Sequence, residues 1–598
     1  MSFPPDTWSG VDAGGIRWWL APEVRQALIG PDGLRLDEWL KSGQACIVKQ
    51  GPHRIVYRVN LGHEVVYVKH NLLPDRRAWL RQMVRPSKAR MEYDRAVAIA
   101  ARGVPTVEPL AVGERQTLLG AGDSYLVTRD LYDTQTLNSF LARTLVPLEP
   151  KRHARVRQGL ARALGRLLAR LHDAGIRHHD LHAANILVRL GAGDEPSLFL
   201  VDLHAVHIGK PLAAAASFDN LVIFTRWFVP RVSRADRLRF WRTYFETRGF
   251  GIWPKDIGGP RGHLALARQL EQRALASTLA FWAHRDSRSL ANNRYFRHEC
   301  AGDVKGNAVT DLDRAVVARL IADPDAPFRQ EGVKLLKDSP SSTVAELDLA
   351  TATGVCRVIY KRFRVTSWSD PWTALVRRPA ALRSWLFGHG FRERCLPTAR
   401  PLLVLHRVRH AMTYEGYLLT EKIENALDLH AFLAQLAQLP VPEQRAHLRW
   451  CIDAVARAVR LMHRCQLSHR DLKASNVLVT SEPKAPDCPY QPLPPSPPRA
   501  SLSSLLPIPA SPVWFIDLAG VSLYARLSRA RRVQNVARLN ASFLQSRALT
   551  RTDRLRFLRA YLLWNLYGTR SWKRWWQAIA AATKQKAARN ARNSRVLA

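Results

Sequence analysis

The second half of this chain repeats the first in register, and no other feature limits its architecture so tightly. Lys69 and Lys361 stand 292 positions apart, as do Pro105-Thr106 and Pro397-Thr398, and Tyr125-Leu126-Val127-Thr128 and Tyr417-Leu418-Leu419-Thr420. Leu171-His172 and Met462-His463 are 291 apart, as are Asp180 and Asp471. Chance echoes do not hold one offset over about a hundred residues, so the pattern reads as a tandem duplication with units of roughly 270–300 residues. The offset then jumps to 315 between Asp202 and Asp517 and to 317 between Asp236 and Asp553. The extra residues fall in Ser481 to Pro512, a Pro- and Ser-rich stretch that suits neither helix nor ladder and reads as an exposed loop. The expected layout is an extension over 1–35, a first domain over 36–300 and a second over 325–598 interrupted at 481–512, with the junction between Cys300 and Asp325.

Hydrophobic period supplies the elements of each copy. Ile55 to Val59 and Val65 to Val68 predict strands joined by a turn at Asn60-Leu61-Gly62. Val344 to Leu349 and Cys356 to Tyr360 predict their counterparts, turning at Thr353-Gly354. A helix is expected over Pro86 to Ala101. Leu160, Leu164, Leu167, Leu168 and Leu171 fall on one helix face, and Ile452, Val455, Val459 and Met462 repeat it. Each such helix runs into a charged loop and then two short apolar strands, the second ending in Asp-Leu. The fold class expected is α+β: two tandem bilobal domains, each a small β-rich lobe followed by a helical lobe.

Composition narrows the setting. Hydrophobic residues make up 47% and charged residues 23%, which excludes a disordered or fibrous chain. Seven cysteines without a C-x-x-C pair argue against a disulfide framework or zinc knuckle and favour a reducing compartment. The start of the chain lacks a signal-peptide pattern, and no run of about 18 apolar residues appears. A cytoplasmic protein is expected, peripheral at most. Lys+Arg exceed Asp+Glu by 90 to 50, a net charge of +40 that suits an anionic partner. Near the C-terminus, Trp564, Trp572, Trp575 and Trp576 interleave with Arg570, Lys573 and Arg574, a mix that fits an anionic membrane surface. A packed terminal helix competes with that reading, and nucleic acid ranks below both.

The chemistry lies in the two loops. His178-His179-Asp180-Leu181-His182-Ala183-Ala184-Asn185 and His469-Arg470-Asp471-Leu472-Lys473-Ala474-Ser475-Asn476 share a carboxylate-to-amide spacing of five, and each leads through a strand to a second carboxylate, Asp202 or Asp517. This is the H-x-D-x-x-x-x-N…D pattern of protein-kinase-like phosphotransferases. Phosphoryl transfer needs a carboxylate beside the attacking hydroxyl, here Asp180 or Asp471. It needs hard oxygen ligands for Mg2+, here Asn185 with Asp202 and Asn476 with Asp517. It also needs a cation for the ATP phosphates, here Lys69 or Lys361, and Glu92 on the expected helix can hold Lys69.

Within that superfamily the chain most resembles the lipopolysaccharide kinase (Kdo/WaaP) family. The resemblance rests on Gly103-Val104-Pro105-Thr106-Val107-Glu108-Pro109-Leu110, Leu396 to Leu402 and the Asp180-Leu181-His182-Ala183-Ala184-Asn185 loop, and on the lack of an A-P-E motif after Asp202 or Asp517. It implies ATP and Mg2+ as cofactors, a lipid-linked or envelope sugar as acceptor, and work at the cytoplasmic face of the inner membrane. The sequence departs from the kinase pattern in three places. Neither copy has a glycine-rich G-x-G-x-x-G loop, D-F-G is replaced by Asp202-Leu203-His204 and Asp517-Leu518-Ala519, and Ser384 falls where a second helix glutamate is expected, unless Glu393 takes that place. A protein Ser/Thr kinase, supported by the Asp471 loop, and a scaffold with an inactive second domain are the alternatives.

Overall fold

The computed structural model describes residues 4–51, 53–73, 86–117, 120–249, 253, 260–351, 354–365, 378–410, 412–480, 512–546, 548–562 and 571–592. The described chain divides into two compact units, parting between Ser277 and Thr278.

In the first unit, β1 (Ser9–Ala13), β2 (Ile16–Leu20), β3 (Ala45–Gly51), β4 (Arg54–Asn60), β5 (Val65–Asn71), β6 (Pro109–Thr117) and β7 (Gly120–Arg129) form one sheet in the order β1-β2-β6-β7-β5-β4-β3. The β4–β5 turn forms as expected: Asn60 Oδ1 accepts the Gly62 N–H at 3.0 Å, and Gly62 takes φ 91°. Between β5 and β6 runs α1 (Lys88–Ala101), started by Ser87, whose hydroxyl accepts the Arg90 N–H at 3.0 Å. Ala89 and Tyr93 of α1 pack on Val112 and Leu126 of the sheet, which fixes the helix against the strand face.

The helix-rich part of this unit opens with α2 (Pro150–Asp173). Pro150 suits the first turn, and the Glu149 carboxylate accepts the N–H groups of Lys151 and Arg152 at 3.0 and 3.1 Å. The predicted face of Leu160, Leu164, Leu167, Leu168 and Leu171 is buried throughout. Short strands follow: β8 (Ile176–His178), β9 (Ile186–Leu190), β10 (Pro196–Leu200) and β11 (Val206–Ile208), with β9 on β10 and β8 on β11. Helices α3 (Ala214–Phe228) and α4 (Arg234–Arg248) pack beneath them, and α5 (Pro260–Ser287) follows, with the boundary between the units falling within it.

In the second unit, β12 (Phe296–Ala301), β13 (Val304–Val309), α6 (Arg314–Ala322), β14 (Lys334–Ser339), β15 (Ser342–Thr351), β16 (Gly354–Phe363), α7 (Ala380–Glu393), β17 (Pro401–Arg409) and β18 (Met412–Glu421) build a sheet in the order β12-β13-β17-β18-β16-β15-β14. Strand for strand, this is the order found in the first unit. Helix α8 (Val441–Arg464) buries Ile452, Val455, Val459 and Met462. Then come β19 (Leu467–His469), β20 (Val477–Thr480), β21 (Val513–Phe515), β22 (Val521–Leu523), α9 (Arg529–Ala541), α10 (Arg551–Leu562) and α11 (Ser571–Arg592).

Two expectations change. Residues 1–35 are no detached extension, because β2 pairs with β6 from Ile16 opposite Arg115 to Leu20 opposite Ala111. Trp18, Leu20, Val24 and Leu28 are wholly buried there. Nor is Cys300 to Asp325 a junction: β13 pairs with β17, and Val304, Val316, Val317 and Leu320 enter the second unit's core. The terminal tryptophans that are described are half-buried, as the competing packed-helix reading expects. Trp572, Trp575 and Trp576 pack on the second unit's helical core, with Trp575 edge-on to Tyr561 and Arg529 over its ring. Lys573, Arg574, Lys584 and Arg589 of that helix are exposed. The insertion at 481–511, Trp564 and Arg570 lie outside the described residues. Among the described residues no helix is long and apolar enough to cross a membrane.

Candidate active site

The loop after β8 is held from below by a buried histidine. His178 is buried, and burial pushes its imidazole down to about 4, so it is neutral at physiological pH. Its Nδ1 accepts the Asp180 N–H at 3.2 Å, which orients the carboxylate-bearing residue. Asn185 donates its side-chain N–H to the Asp180 carbonyl at 2.8 Å, closing the loop across the five-residue spacing through its amide nitrogen, so that its amide oxygen could serve a metal. The backbone beneath is anchored by His172, whose Nδ1 meets the Tyr244 hydroxyl at 2.8 Å and whose Nε2 meets Asn220 Oδ1 at 3.2 Å, while Asn220 donates to the His178 carbonyl at 2.8 Å. The Asp180 side chain itself is 57% exposed and has His182 Nε2 at 3.7 Å, so it faces out of a rigid base.

Asp202 follows the end of β10, the strand that lies beside this loop. The Pro105-Thr106 pair explains how it is placed: the Leu200 N–H donates to the Pro105 carbonyl at 2.9 Å and the Thr106 hydroxyl donates to the Leu200 carbonyl at 2.7 Å. The Val201 N–H then bonds the Asn185 carbonyl at 3.0 Å, which sets Asp202 against the loop. Asp202 adopts φ 58° and ψ 60°, a left-handed conformation that a non-glycine residue holds only when its surroundings impose it. Burial opposes its ionisation, but a hydrogen bond from His204 and the charges of Arg54 and Lys69 outweigh that and hold the carboxyl well below the usual carboxylate range.

Lys69 on β5 pairs with Glu92 on α1, as the sequence predicts, and the Glu92 side chain is 3% exposed. A further cation joins them. Arg54, the first residue of β4, puts both guanidinium ends 3.2 Å from Asp202 Oδ1 and lies 3.9 Å from Glu92. Lys49 on β3 also feels this cluster: burial and Arg54 lower its pKa, with Asp202 and Asp180 acting the other way.

The donor set suits Mg2+ better than a softer metal. Asp202 is ionised, Asn185 offers an amide oxygen, and no group of three or more His, Cys, Asp or Glu is gathered as a cage among the described residues. Mg2+ is typically held by one or two protein oxygens and finished by substrate phosphates.

The second unit has the same loop and a different clamp. His469 Nδ1 accepts the Asp471 N–H at 3.2 Å, and Asn476 donates to the Asp471 carbonyl at 2.9 Å and carboxylate at 3.2 Å. His463 repeats the anchor with Tyr561 at 2.7 Å and Asn535 at 3.1 Å. The Thr398 hydroxyl donates to the Phe515 carbonyl at 2.6 Å, and Asp517 is left-handed with φ 56°. But Lys361 reaches past the helix and pairs with Asp517 itself at 2.7 Å. Ser384 donates to the Ala380 carbonyl of its own helix, and Glu393 is taken by Arg285 at 2.7 Å, so neither holds the lysine.

Arg54 and Lys49 escaped sequence reading. A search for a glycine-rich loop passes over the hairpin that carries them. One signal was available: Lys49 and Lys337 stand 288 apart, each just past a β-bulge and each paired with a valine, Val56 or Val344, on the next strand. Lys337 likewise acts on Asp517.

The sequence model of the lipopolysaccharide kinase (Kdo/WaaP) family matches residues 55–244 and again 353–487, together more than half of the chain. Among similar proteins is a lipopolysaccharide core heptose(I) kinase WaaP of Pseudomonas aeruginosa, 28% identical over 164 residues, which are 26% of this chain and 59% of that one. A 3-deoxy-D-manno-octulosonic acid kinase of Photobacterium profundum is 31% identical over 137 residues, 23% of this chain and 42% of its own. The chain thus spans about half the length of the curated relatives it matches. A solved structure described as WaaP in complex with acyl carrier protein aligns with a TM-score of 0.32 and 22% identity over 43% of this chain and 99% of that one. On the family match, which occurs twice and includes both loops just described, this chain belongs to the lipopolysaccharide kinase (Kdo/WaaP) family.

Proposed function

We propose that the chain is an ATP- and Mg2+-dependent kinase that phosphorylates a hydroxyl of a lipid-linked sugar of the lipopolysaccharide core, and that its two units are tandem bilobal protein-kinase-like domains of which the first is the main catalyst. The observation that carries this reading is the cluster in the first unit: Lys69 held by Glu92, a left-handed Asp202, and Asp180 facing out of a loop braced by His178 and Asn185. The names of the relatives, heptose and 3-deoxy-D-manno-octulosonic acid kinases, support the acceptor class.

In this reading Asp180 accepts the proton of the acceptor hydroxyl as its oxygen bonds to the γ-phosphorus of ATP. The bond to the β–γ bridging oxygen breaks, and ADP leaves with the electron pair. Lys69, positioned by Glu92, neutralises the non-transferred phosphates. Asn185 and Asp202 would hold Mg2+, which shields the phosphate charge. Asp471, Asn476, Asp517 and Lys361 would serve the same roles in the second unit, but Lys361 is drawn onto Asp517 there, which favours a weaker or regulatory site. A membrane-peripheral location follows from the lipid-linked acceptor and the +40 charge. The test is transfer from radiolabelled ATP by the full-length chain to purified lipopolysaccharide cores and, in parallel, to generic protein substrates. Label on the sugar, lost with Asp180→Asn, is expected. Label on protein alone would favour a protein Ser/Thr kinase, and no transfer to either would end the kinase reading.

A further inference from the structure

A glycine-rich loop grips nucleotide phosphates through backbone N–H groups, and the hairpin formed by β3 and β4 has no such sequence. It presents cations instead. Arg54 opens β4 at the hairpin end, opposite Gly51, with its side chain 22% exposed. Its guanidinium lies against Asp202, with contacts of 3.2, 3.2 and 3.5 Å, and 3.9 Å from Glu92. Lys49 stands on the adjoining strand, beyond a bulge that falls between Ile47 and Lys49, the kind of irregularity that re-aims side chains beside a site.

This ion pair conflicts with the proposed metal. A guanidinium 3.2 Å from a carboxylate oxygen cannot share that oxygen comfortably with a divalent cation, since the two like charges would stand a few ångströms apart. Nucleotide phosphates arriving with the metal would offer Arg54 a better partner, because its planar fork matches phosphate oxygens as it does carboxylate. The second unit serves as an internal contrast. Val56 pairs with Lys69 and Val344 with Lys361, so the strand position matching Arg54 is Ser342, and the cation on Asp517 is Lys361.

We propose that Arg54 is a nucleotide-phosphate ligand of the first unit that exchanges Asp202 for phosphate oxygens as metal and nucleotide enter, taking over the work of the missing glycine-rich loop. The idea rests on the reading of Asp202 as a metal ligand.

The test uses the full-length chain, whose second unit is unchanged in every variant. Free Mn2+ is titrated by electron paramagnetic resonance without nucleotide, and ATP by calorimetry in excess chelator. Removing the competing charge in Arg54→Gln should tighten Mn2+ binding at the first site about three- to tenfold while weakening chelated ATP binding about tenfold or more. Arg54→Lys, which keeps the charge but not the planar fork, should hold Mn2+ binding within about threefold of the parent and weaken ATP binding less than Arg54→Gln does. A purely structural role would not move the two affinities in opposite directions. Any outcome other than opposed shifts in Arg54→Gln overturns the proposal. Asp202→Asn separates the two ideas: if it loses one class of Mn2+ site while Arg54→Gln changes nothing, the metal reading stands and the role of Arg54 falls. If it binds Mn2+ like the parent, both fall.

Discussion

Asp180 carries the sharpest residue-scale consequence, because the loop around it does not depend on its carboxylate. His178 bonds its backbone N–H and Asn185 its backbone carbonyl, so Asp180→Asn leaves both bonds in place. The expected result is an unchanged melting temperature and nucleotide affinity with turnover reduced ~10²–10⁴-fold, the usual loss for a general base. Turnover at the parental level would remove Asp180 from the mechanism. Much of this site was legible in the sequence, since Asp180, Asn185, Asp202, Lys69 and Glu92 keep fixed order and type. What was not legible was what each carboxylate holds. Arg54 meets Asp202 across 148 positions, and Lys361 meets Asp517 across 156. No local pattern encodes such pairs. The alternative that Glu393 clamps Lys361 failed for the same reason, because its partner, Arg285, lies 108 positions away.

At the scale of elements, helices read well and the sheet edge did not. The buried faces of α2 and α8 follow the 3.6-residue period, which is local. The β1–β2 hairpin had its own local signal, Gly14-Gly15 with φ 61° and 70° between two strand-like runs, but its place in the sheet depends on pairing with β6 almost a hundred residues on. That pairing is held by a close approach. Trp18 lies opposite Gly113, and a Cβ there would meet its ring at 2.6 Å. Gly306 plays a comparable part on β13, where a Cβ would meet the Val404 carbonyl at 1.8 Å. Gly113→Val should therefore push Trp18 from its buried position, costing about 1–3 kcal/mol for overpacking. It should also raise amide exchange across Ser9–Leu20 while the helix-rich part keeps its protection. Exchange in that hairpin equal to the parent's would show that β2 does not rest on this contact.

For the molecule as a whole, the question is how two units with one strand order and one loop design share the work. Their anchors match, His172 with Tyr244 and Asn220 in one, His463 with Tyr561 and Asn535 in the other. Their clamps differ. In the first, cations divide between two carboxylates, Lys69 on Glu92 and Arg54 on Asp202. In the second, the helix glutamate Glu393 is taken by Arg285, and Lys361 pairs with Asp517. A lysine drawn onto the aspartate proposed as a metal ligand is not poised for phosphate, and positioning is most of what a phosphotransferase supplies. Lys69→Ala also leaves a buried glutamate whose remaining cation, Arg54, is 3.9 Å away. Lys361→Ala frees a carboxylate whose side chain is already 35% exposed. In the full-length chain, Lys69→Ala should thus lower transfer to the sugar acceptor on the order of 10²-fold, against less than about threefold for Lys361→Ala. Both variants are to be measured side by side on the same acceptor and at the same ATP concentration, with melting curves to show that each folds. If Lys361→Ala is the variant that loses activity, the main catalytic centre is in the second unit, and the Lys361–Asp517 pair must open during turnover.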